Sequence, residues 1–156
     1  GEIQTRSMYN TPGYWRRDEA TADAYTADGY FKTGDLGRVR PDGRIALVGR
    51  IKEMFKSGGY NVYPREVEDV LESHDAVLAA VVVGAKHPVW GEAGVAFIMA
   101  AGEVAAEDLE ALAREHLANY KIPKVIKIIT DMPLLPIGKI DRKQLKDRAK
   151  EIFVNE

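Results

Sequence analysis

Four short segments place a charged side chain or a flexible backbone among turn-forming residues: Thr33-Gly34-Asp35, Gly49-Arg50, Ser57-Gly58-Gly59 and Pro136-Ile137-Gly138-Lys139. A carboxylate such as that of Asp35 can accept hydrogen bonds from both hydroxyls of a ribose. The guanidinium of Arg50 can bind phosphate or ribose oxygens through its planar fork. Taken singly, neither residue is specific for a nucleotide, because a surface-turn Asp and a strand-end cation are common.

Taken alone, the other two segments also admit both a functional and a purely structural interpretation. Gly58 and Gly59 permit positive φ and close approach of the backbone to a ligand, although a plain hairpin turn is the commoner use of such a pair. Lys139 lies in a glycine-containing loop that can deliver its ammonium group to a phosphate or a carboxylate, although a surface lysine explains it as well. The loop is not a Walker motif, because Pro133 and Ile140 stand where that motif requires Gly and Ser or Thr.

Several kinds of chemistry are excluded by composition. The sequence has no cysteine, so it has no thiol nucleophile, disulfide or thiolate metal site. It has neither a Gly-x-Ser-x-Gly motif nor histidines at metal-ligand spacing. The net charge of -2 indicates no basic field for nucleic acid. No apolar run is long enough to span a bilayer and no signal peptide is present, so we expect a cytoplasmic protein without a transmembrane segment.

The elements that must position these residues follow from periodicity and turn chemistry. The Pro41-Asp42-Gly43 turn predicts a hairpin within residues 30–50. Pro64 is well placed to begin a helix, residues 51–56 are predicted to be extended, and Asp141 is predicted to cap a last helix. Further helices are predicted at 16–26, 64–73 and 105–118, and further strands at 77–83, 94–101 and 125–129.

These elements predict an α+β fold with a boundary at Arg50–Lys52. Residues 51–156 are expected to form a small domain, with a short β-hairpin and a three-stranded mixed sheet flanked by helices. Residues 1–50 are expected to be the β-rich end of a larger domain, because they hold no helix pattern that could close a core alone. The chain opens on Gly1-Glu2-Ile3 rather than on Met, which also favours a fragment of a longer polypeptide.

Six motifs in order give the sequence a family resemblance: GYWxxxEAT, YFKTGD, PDG, GRIKE, SGGYNVYPREVE and PIGKIDR. Over about Gly13 to Arg142 the chain resembles the adenylate-forming superfamily, most closely the acyl-CoA synthetases of the fatty-acid or aryl-acid type. The resemblance implies that a carboxylic acid and MgATP form an acyl-adenylate and pyrophosphate. The CoA thiol then attacks the acyl carbon and AMP leaves. It also implies a large N-terminal domain that holds ATP and the acid, and a small C-terminal domain that swings between two poses.

The resemblance carries individual roles to matching residues. Asp35 matches the residue that binds the ribose hydroxyls, and Arg50 matches a second ribose contact. Lys52 matches the hinge position, which is Asp or Lys in the family. Lys139 matches the lysine that contacts the acid and the α-phosphate during adenylation, where a cation offsets charge that builds on the phosphoryl oxygens.

A second group of matches concerns the thioester-forming step. Gly58 and Gly59 match a turn that enters the active site in that pose. Trp90, Tyr120 and Lys124 lie near the region that receives CoA in the family. Trp90 falls between two predicted strands, where packing is the ordinary role of an aromatic residue.

The family's phosphate loop, adenine-binding stretch and magnesium-handling Glu have no counterpart in this sequence. The resemblance places them, with the acid-binding pocket, upstream of Gly1. We therefore expect ATP, AMP and Mg²⁺ to depend on the missing N-terminal domain, and the isolated chain to be inactive. Two other hypotheses stay open: an adenylation domain that loads a carrier protein, and a non-catalytic domain that binds a partner.

Overall fold

The computed structural model describes residues 1–153 and divides the chain into two units, Gly1–Lys52 and Glu53 onward. Each unit is built on a β-sheet. The strands are β1 (Glu2–Thr5), β2 (Phe31–Val39), β3 (Ile45–Arg50), β4 (Phe55–Ser57), β5 (Tyr60–Val62), β6 (Val77–His87), β7 (Gly91–Ala100) and β8 (Val125–Ile128). The helices are α1 (Asp18–Ala24), α2 (Pro64–Leu71), α3 (Ala106–His116) and α4 (Arg142–Lys150), and there are short 3₁₀ turns at Ile51–Glu53 and Asn119–Lys121.

The first unit is a three-stranded antiparallel sheet in the order β1-β2-β3. The predicted Pro41-Asp42-Gly43 turn connects β2 and β3, and Gly43 has a φ of +79°, which the turn requires and glycine supplies at no steric cost. No residue of Gly1–Lys52 is buried within the described part of the chain. This unit therefore has no hydrophobic core of its own.

The second unit contains a mixed sheet in which β7 is the central strand. It pairs antiparallel with β6 along its length, parallel with β8 over Val95–Ile98, and with β4 at Gly91. The β4–β5 hairpin is therefore part of the same sheet, which has five strands. The predicted α+β class, with a hairpin and a three-stranded mixed sheet, is confirmed, and the hairpin extends that sheet.

Both faces of the second sheet are covered, which explains the unbroken apolar run of β6. On one face, Val82 and Ile98 pack with Leu71 of α2 and Leu109 of α3. The opposite face packs against α4, and its buried residues include Val81, Val83, Phe97, Leu145 and Ala149. Burial of each large aliphatic side chain contributes about 1.5–3 kcal/mol. These two clusters hold α2, α3 and α4 in fixed positions around the sheet.

Two details differ from the sequence prediction. Residues 51–56 are not extended throughout, because Ile51–Glu53 forms a 3₁₀ turn before β4 begins at Phe55. A segment this short carries too few side chains for its periodicity to separate a turn from a strand.

The long strands also run past the predicted end at residue 83 and the predicted start at residue 94. Gly84 and Gly94 face each other in the β6–β7 pair. A Cβ atom at Gly84 would lie 2.5 Å from Cγ of Phe55, so this glycine makes room for a core aromatic ring within the strand.

Candidate functional site

Asp35 and Arg50 form an ion pair in the first unit. They are separated by fifteen residues in the sequence, but the antiparallel register of β2 and β3 places them directly opposite each other. Nε of Arg50 donates a hydrogen bond to Oδ1 of Asp35 at 2.9 Å. The side chains remain 63% and 31% exposed, so the pair adds only about 0–1 kcal/mol to stability. The hairpin thus presents a carboxylate and a guanidinium together at the surface of this unit.

Lys52 is the last residue of the first unit and the middle residue of the 3₁₀ turn Ile51–Glu53. Its side chain is exposed. The division between the two units therefore coincides with the residue that the family resemblance assigns as the hinge.

In the second unit, Gly58, Trp90 and Lys124 come from three separate segments and meet at one place. The backbone N–H of Gly58 donates to the carbonyl oxygen of Trp90 at 2.9 Å. Nζ of Lys124 lies 4.6 Å from the centre of the Trp90 ring, which is a cation–π distance. Nδ1 of His87 accepts hydrogen bonds from the N–H groups of Val89 and Trp90 and so fixes the turn that carries the indole.

Tyr120 stacks on Tyr60, with ring centres 4.7 Å apart and an interplanar angle of 25°. An ion pair of 2.6 Å between Lys121 and Glu66 attaches the turn that carries Tyr120 to α2. Tyr60 is 61% exposed and directly follows Gly59, but it was not among the residues predicted from the sequence. The only available signal was an aromatic residue inside the SGGYNVY motif. We call Tyr60, Trp90, Tyr120 and Lys124 the aromatic surface.

Gly58 and Gly59 differ in their surroundings, and this difference can be tested. Both have positive φ, +57° and +86°. A Cβ atom at Gly58 would lie 2.9 Å from Cε3 of Trp90, whereas nothing lies within 4 Å of a Cβ atom at Gly59. Only the first glycine is therefore required for close approach of the backbone to the indole.

We expect Gly58→Ala and Gly59→Ala each to lose at least roughly 1–2 kcal/mol, because both force alanine into the left-handed region. Gly58→Ala should lose more, because its Cβ atom would lie 2.9 Å from the Trp90 ring. Only Gly58→Ala should also displace the Trp90 ring and change its fluorescence. The measurement needs a Trp15→Phe background, since Trp15 and Trp90 are the two tryptophans. An identical change of the Trp90 emission in both variants would contradict the packing role of Gly58.

Lys139 lies in a separate exposed loop. The loop is closed by a bridge between Leu134 and Ile140 and by the N–H of Leu135, which donates to the carbonyl of Lys139 at 2.7 Å. Gly138, with a φ of +77°, makes the turn. Within residues 1–153, no hydrogen bond, ion pair or ring contact joins the Lys139 side chain to the aromatic surface. The second unit thus presents two distinct groups of candidate residues.

The base of the Lys139 loop is attached to a buried ion pair that the sequence analysis missed. Nη2 of Arg142 donates a hydrogen bond to Oε2 of Glu68 at 2.9 Å, and Nη1 lies 2.8 Å from Oε1 in an ion pair. Glu68 is fully buried and also accepts from the N–H of Val82. Burial opposes the charge of Arg142, but the hydrogen bond and the negative charge of Glu68 outweigh it and raise the pKa of the guanidinium. Arg142 therefore stays cationic.

Within residues 1–153 there is no group of three or more His, Asp and Glu that could hold a metal ion. None of the described helices is long and apolar enough to cross a membrane.

Comparison with known proteins agrees with this fold and these motifs. Residues 66–139 match the model of the AMP-binding enzyme C-terminal domain. A 2-succinylbenzoate–CoA ligase of Bacillus cytotoxicus is 38% identical over 151 residues, which cover 97% of this chain and 31% of the relative. The chain therefore spans about a third of the length of the curated relatives that it matches.

Solved structures of similar fold belong to the same group of enzymes. The ATP-bound MatB of Rhodopseudomonas palustris has a TM-score of 0.89 at 30% identity, over 98% of this chain and 31% of that one. The o-succinylbenzoate CoA synthetase of Bacillus subtilis, in complex with its acyl-adenylate intermediate, has a TM-score of 0.85 at 37% identity, over 94% of this chain and 30% of that one. The chain therefore carries the C-terminal domain of the adenylate-forming enzymes, and over nearly its whole length it is similar to about a third of these CoA ligases.

Proposed function

We propose that this chain is part of an ATP-dependent acyl-CoA synthetase, which converts a carboxylic acid, ATP and CoA into acyl-CoA, AMP and pyrophosphate through an acyl-adenylate. The supporting observation is that Gly58, Trp90 and Lys124, which the family resemblance assigns to the thioester-forming step, come from three separate segments and meet at one place. Surface residues without a shared role are not expected to converge in this way.

In the proposed reaction, the residues of this chain divide between two steps. Asp35 and Arg50 hold the ribose hydroxyls of the nucleotide. Lys139 contacts the carboxylate and the α-phosphate and offsets the charge that builds when the acid attacks phosphorus. In the second step the aromatic surface receives CoA, whose adenine can stack on an aromatic ring and whose phosphates attract the Lys124 ammonium group.

The separation of Lys139 from the aromatic surface supports a two-pose mechanism. One pose presents the Lys139 loop to the nucleotide, and the other presents the Gly58–Gly59 turn and the aromatic surface. Rotation occurs at Lys52. Residues 1–50 act as the end of a large N-terminal domain, and residues 51–156 act as the mobile domain.

The lack of buried residues in Gly1–Lys52 supports the same organisation. A sheet without its own core has to be completed by further structure if it is to be stable. We propose that the preceding part of the enzyme covers this sheet, cradles the ATP phosphates and holds Mg²⁺.

This organisation predicts that the 156-residue chain alone has no adenylation activity. ATP–pyrophosphate exchange should stay at the blank value for the isolated chain and rise for the complete enzyme with its acid. The acids to be tested include fatty acids, aryl acids and 2-succinylbenzoate, with MgATP and CoA. Exchange by the isolated chain would contradict the proposed domain organisation.

The same experiment tests which thiol, that of CoA or that of a carrier protein, accepts the acyl group. When CoA is the only thiol supplied, acyl-CoA should accumulate. If adenylate forms but acylates only a carrier protein, the enzyme is an adenylation domain of the carrier-loading type. Failure of the complete enzyme to form any adenylate would favour a non-catalytic domain that binds a partner.

A further inference from the structure

Arg142, the first residue of α4, connects several parts of the second unit. Its forked contact with buried Glu68 attaches α4 to α2, and Nη1 also donates to the carbonyl oxygen of Val82 in β6 at 3.3 Å. Its Nε lies 3.6 Å from Oε2 of Glu53, the first residue of this unit. One guanidinium therefore joins the start of the unit, the central sheet and two helices.

The same residue lies at the base of the Lys139 loop. The N–H of Arg142 donates to the carbonyl of Ile140 at 3.1 Å, and the N–H of Asp141 donates to the carbonyl of Pro133 at 2.8 Å. Ile140 in turn forms the bridge to Leu134 that closes the loop. The loop itself is exposed from Leu134 to Lys139, so its base is the part attached to buried structure.

We propose that Arg142 is a positioning residue for adenylation, which holds the Lys139 loop at a fixed position relative to the buried Glu68 carboxylate and to Glu53 beside the pivot. This inference rests on the proposed function, because it takes Lys139 as the lysine that contacts the reacting groups. Arg142 itself acts through Lys139 and contacts no substrate.

The physical reason is geometric. A guanidinium is a planar fork that fixes two parallel hydrogen bonds to a carboxylate, whereas a lysine ammonium is a point charge on a flexible stem. Arg142→Lys therefore keeps the charge but loses the fork. Misplacement of a catalytic group by about 1 Å can cost about 10²-fold in rate. We expect Arg142→Lys to lower adenylation by a factor of this order.

The test compares the two half-reactions in the complete enzyme. Adenylation is followed by pyrophosphate release, and thioester formation is started from supplied acyl-adenylate and CoA. Arg142→Lys should lower the first by about 10²-fold and leave the second within about threefold of the wild-type rate. The matched control is Arg148→Lys, an exposed arginine of the same helix, which should leave both rates unchanged.

A double variant distinguishes positioning from independent binding. In a Lys139→Ala background, Arg142→Lys should cause no further loss of adenylation, because residues that act through one another are not additive. Equal losses of both half-reactions in Arg142→Lys, at an unchanged melting temperature, would overturn the proposal. An additive loss in the double variant would also overturn it.

Glu53→Gln keeps the proposal testable if Arg142→Lys fails to fold. Glu53 is partly exposed and its removal leaves the Glu68–Arg142 fork in place. The expected result is a selective loss of adenylation of about two- to fivefold, the size that a partly exposed ion pair supports. An unchanged ratio of the two half-reactions would overturn the proposal. Failure of the wild-type enzyme to form adenylate would instead reject the proposed function.

Discussion

Replacing Lys139 with alanine is expected to slow adenylate formation in the complete enzyme by roughly 10²–10³-fold, the size found when one group that stabilises developing charge is removed. Thioester formation from supplied acyl-adenylate should change much less. The reason is that, among residues 1–153, Lys139 lies in a loop with no direct bond to the aromatic surface, so the second step retains its own residues.

The measurement is single-turnover kinetics of each half-reaction. Lys143→Ala is the matched control, because Lys143 is an exposed lysine four residues along the chain in α4. It should leave both rates within about twofold of the wild-type rates. Equal losses of the two half-reactions in Lys139→Ala would indicate that the lysine is structural or is required in both poses.

Replacing Glu68 with alanine is expected to lower the free energy of unfolding of the second unit by about 3–5 kcal/mol. The substitution removes the nearer of the two carboxylates paired with Arg142, leaving only the 3.6 Å contact with Glu53, and it leaves the N–H of Val82 without its acceptor. The guanidinium and the N–H group each lose a partner in or near the core, where water is a poor replacement for that partner. Urea unfolding of the 156-residue chain in the Trp15→Phe background, followed by the fluorescence of Trp90, measures the effect.

The matched control is Asp69→Ala on the same helix. Asp69 also forms an ion pair with an arginine, Arg65, but its side chain is 53% exposed. The loss in free energy of unfolding should be no more than about 1 kcal/mol, as for other exposed pairs. If the two variants lost the same stability, the buried pair would contribute no more than a surface one.

Glu68 also illustrates what sequence reasoning could not reach. In PREVEDVL it is one of several charged residues of an amphipathic helix, and such residues are normally solvated. Its burial depends on Arg142, which is 74 residues away in the sequence. No local pattern reports a partner at that distance.

Features set by local chemistry were predictable. The hairpin follows from Pro41-Asp42-Gly43, and the start of α2 follows from Pro64 at its first position. The cap of α4 was also predicted, and Oδ1 of Asp141 accepts from the N–H of Gln144 at 3.0 Å. Each depends on residues within a few positions of one another, which is the range over which propensity and turn chemistry act.

The contacts among the candidate residues could not be predicted from the sequence. The family resemblance nominated Gly58 through its motif, and Trp90 and Lys124 through their nearness to the region that receives CoA. Their convergence depends on how β4, β7 and the chain before β8 pair in the sheet. The stack of Tyr60 on Tyr120 depends on the same tertiary arrangement. Pairings of this kind come from the whole fold, and periodicity in one segment does not determine them.

The double burial of β6 has a consequence for how damaged forms of this protein behave. Its run Val77 to Ala85 is rich in β-branched residues and contains no charge or proline, which is typical of segments that assemble into intermolecular cross-β structure. In the native unit α2, α3 and α4 shield that run on both faces. Variants that loosen the helices should therefore be lost to irreversible aggregation, so their yield and refolding efficiency should fall before any change in catalysis can be measured.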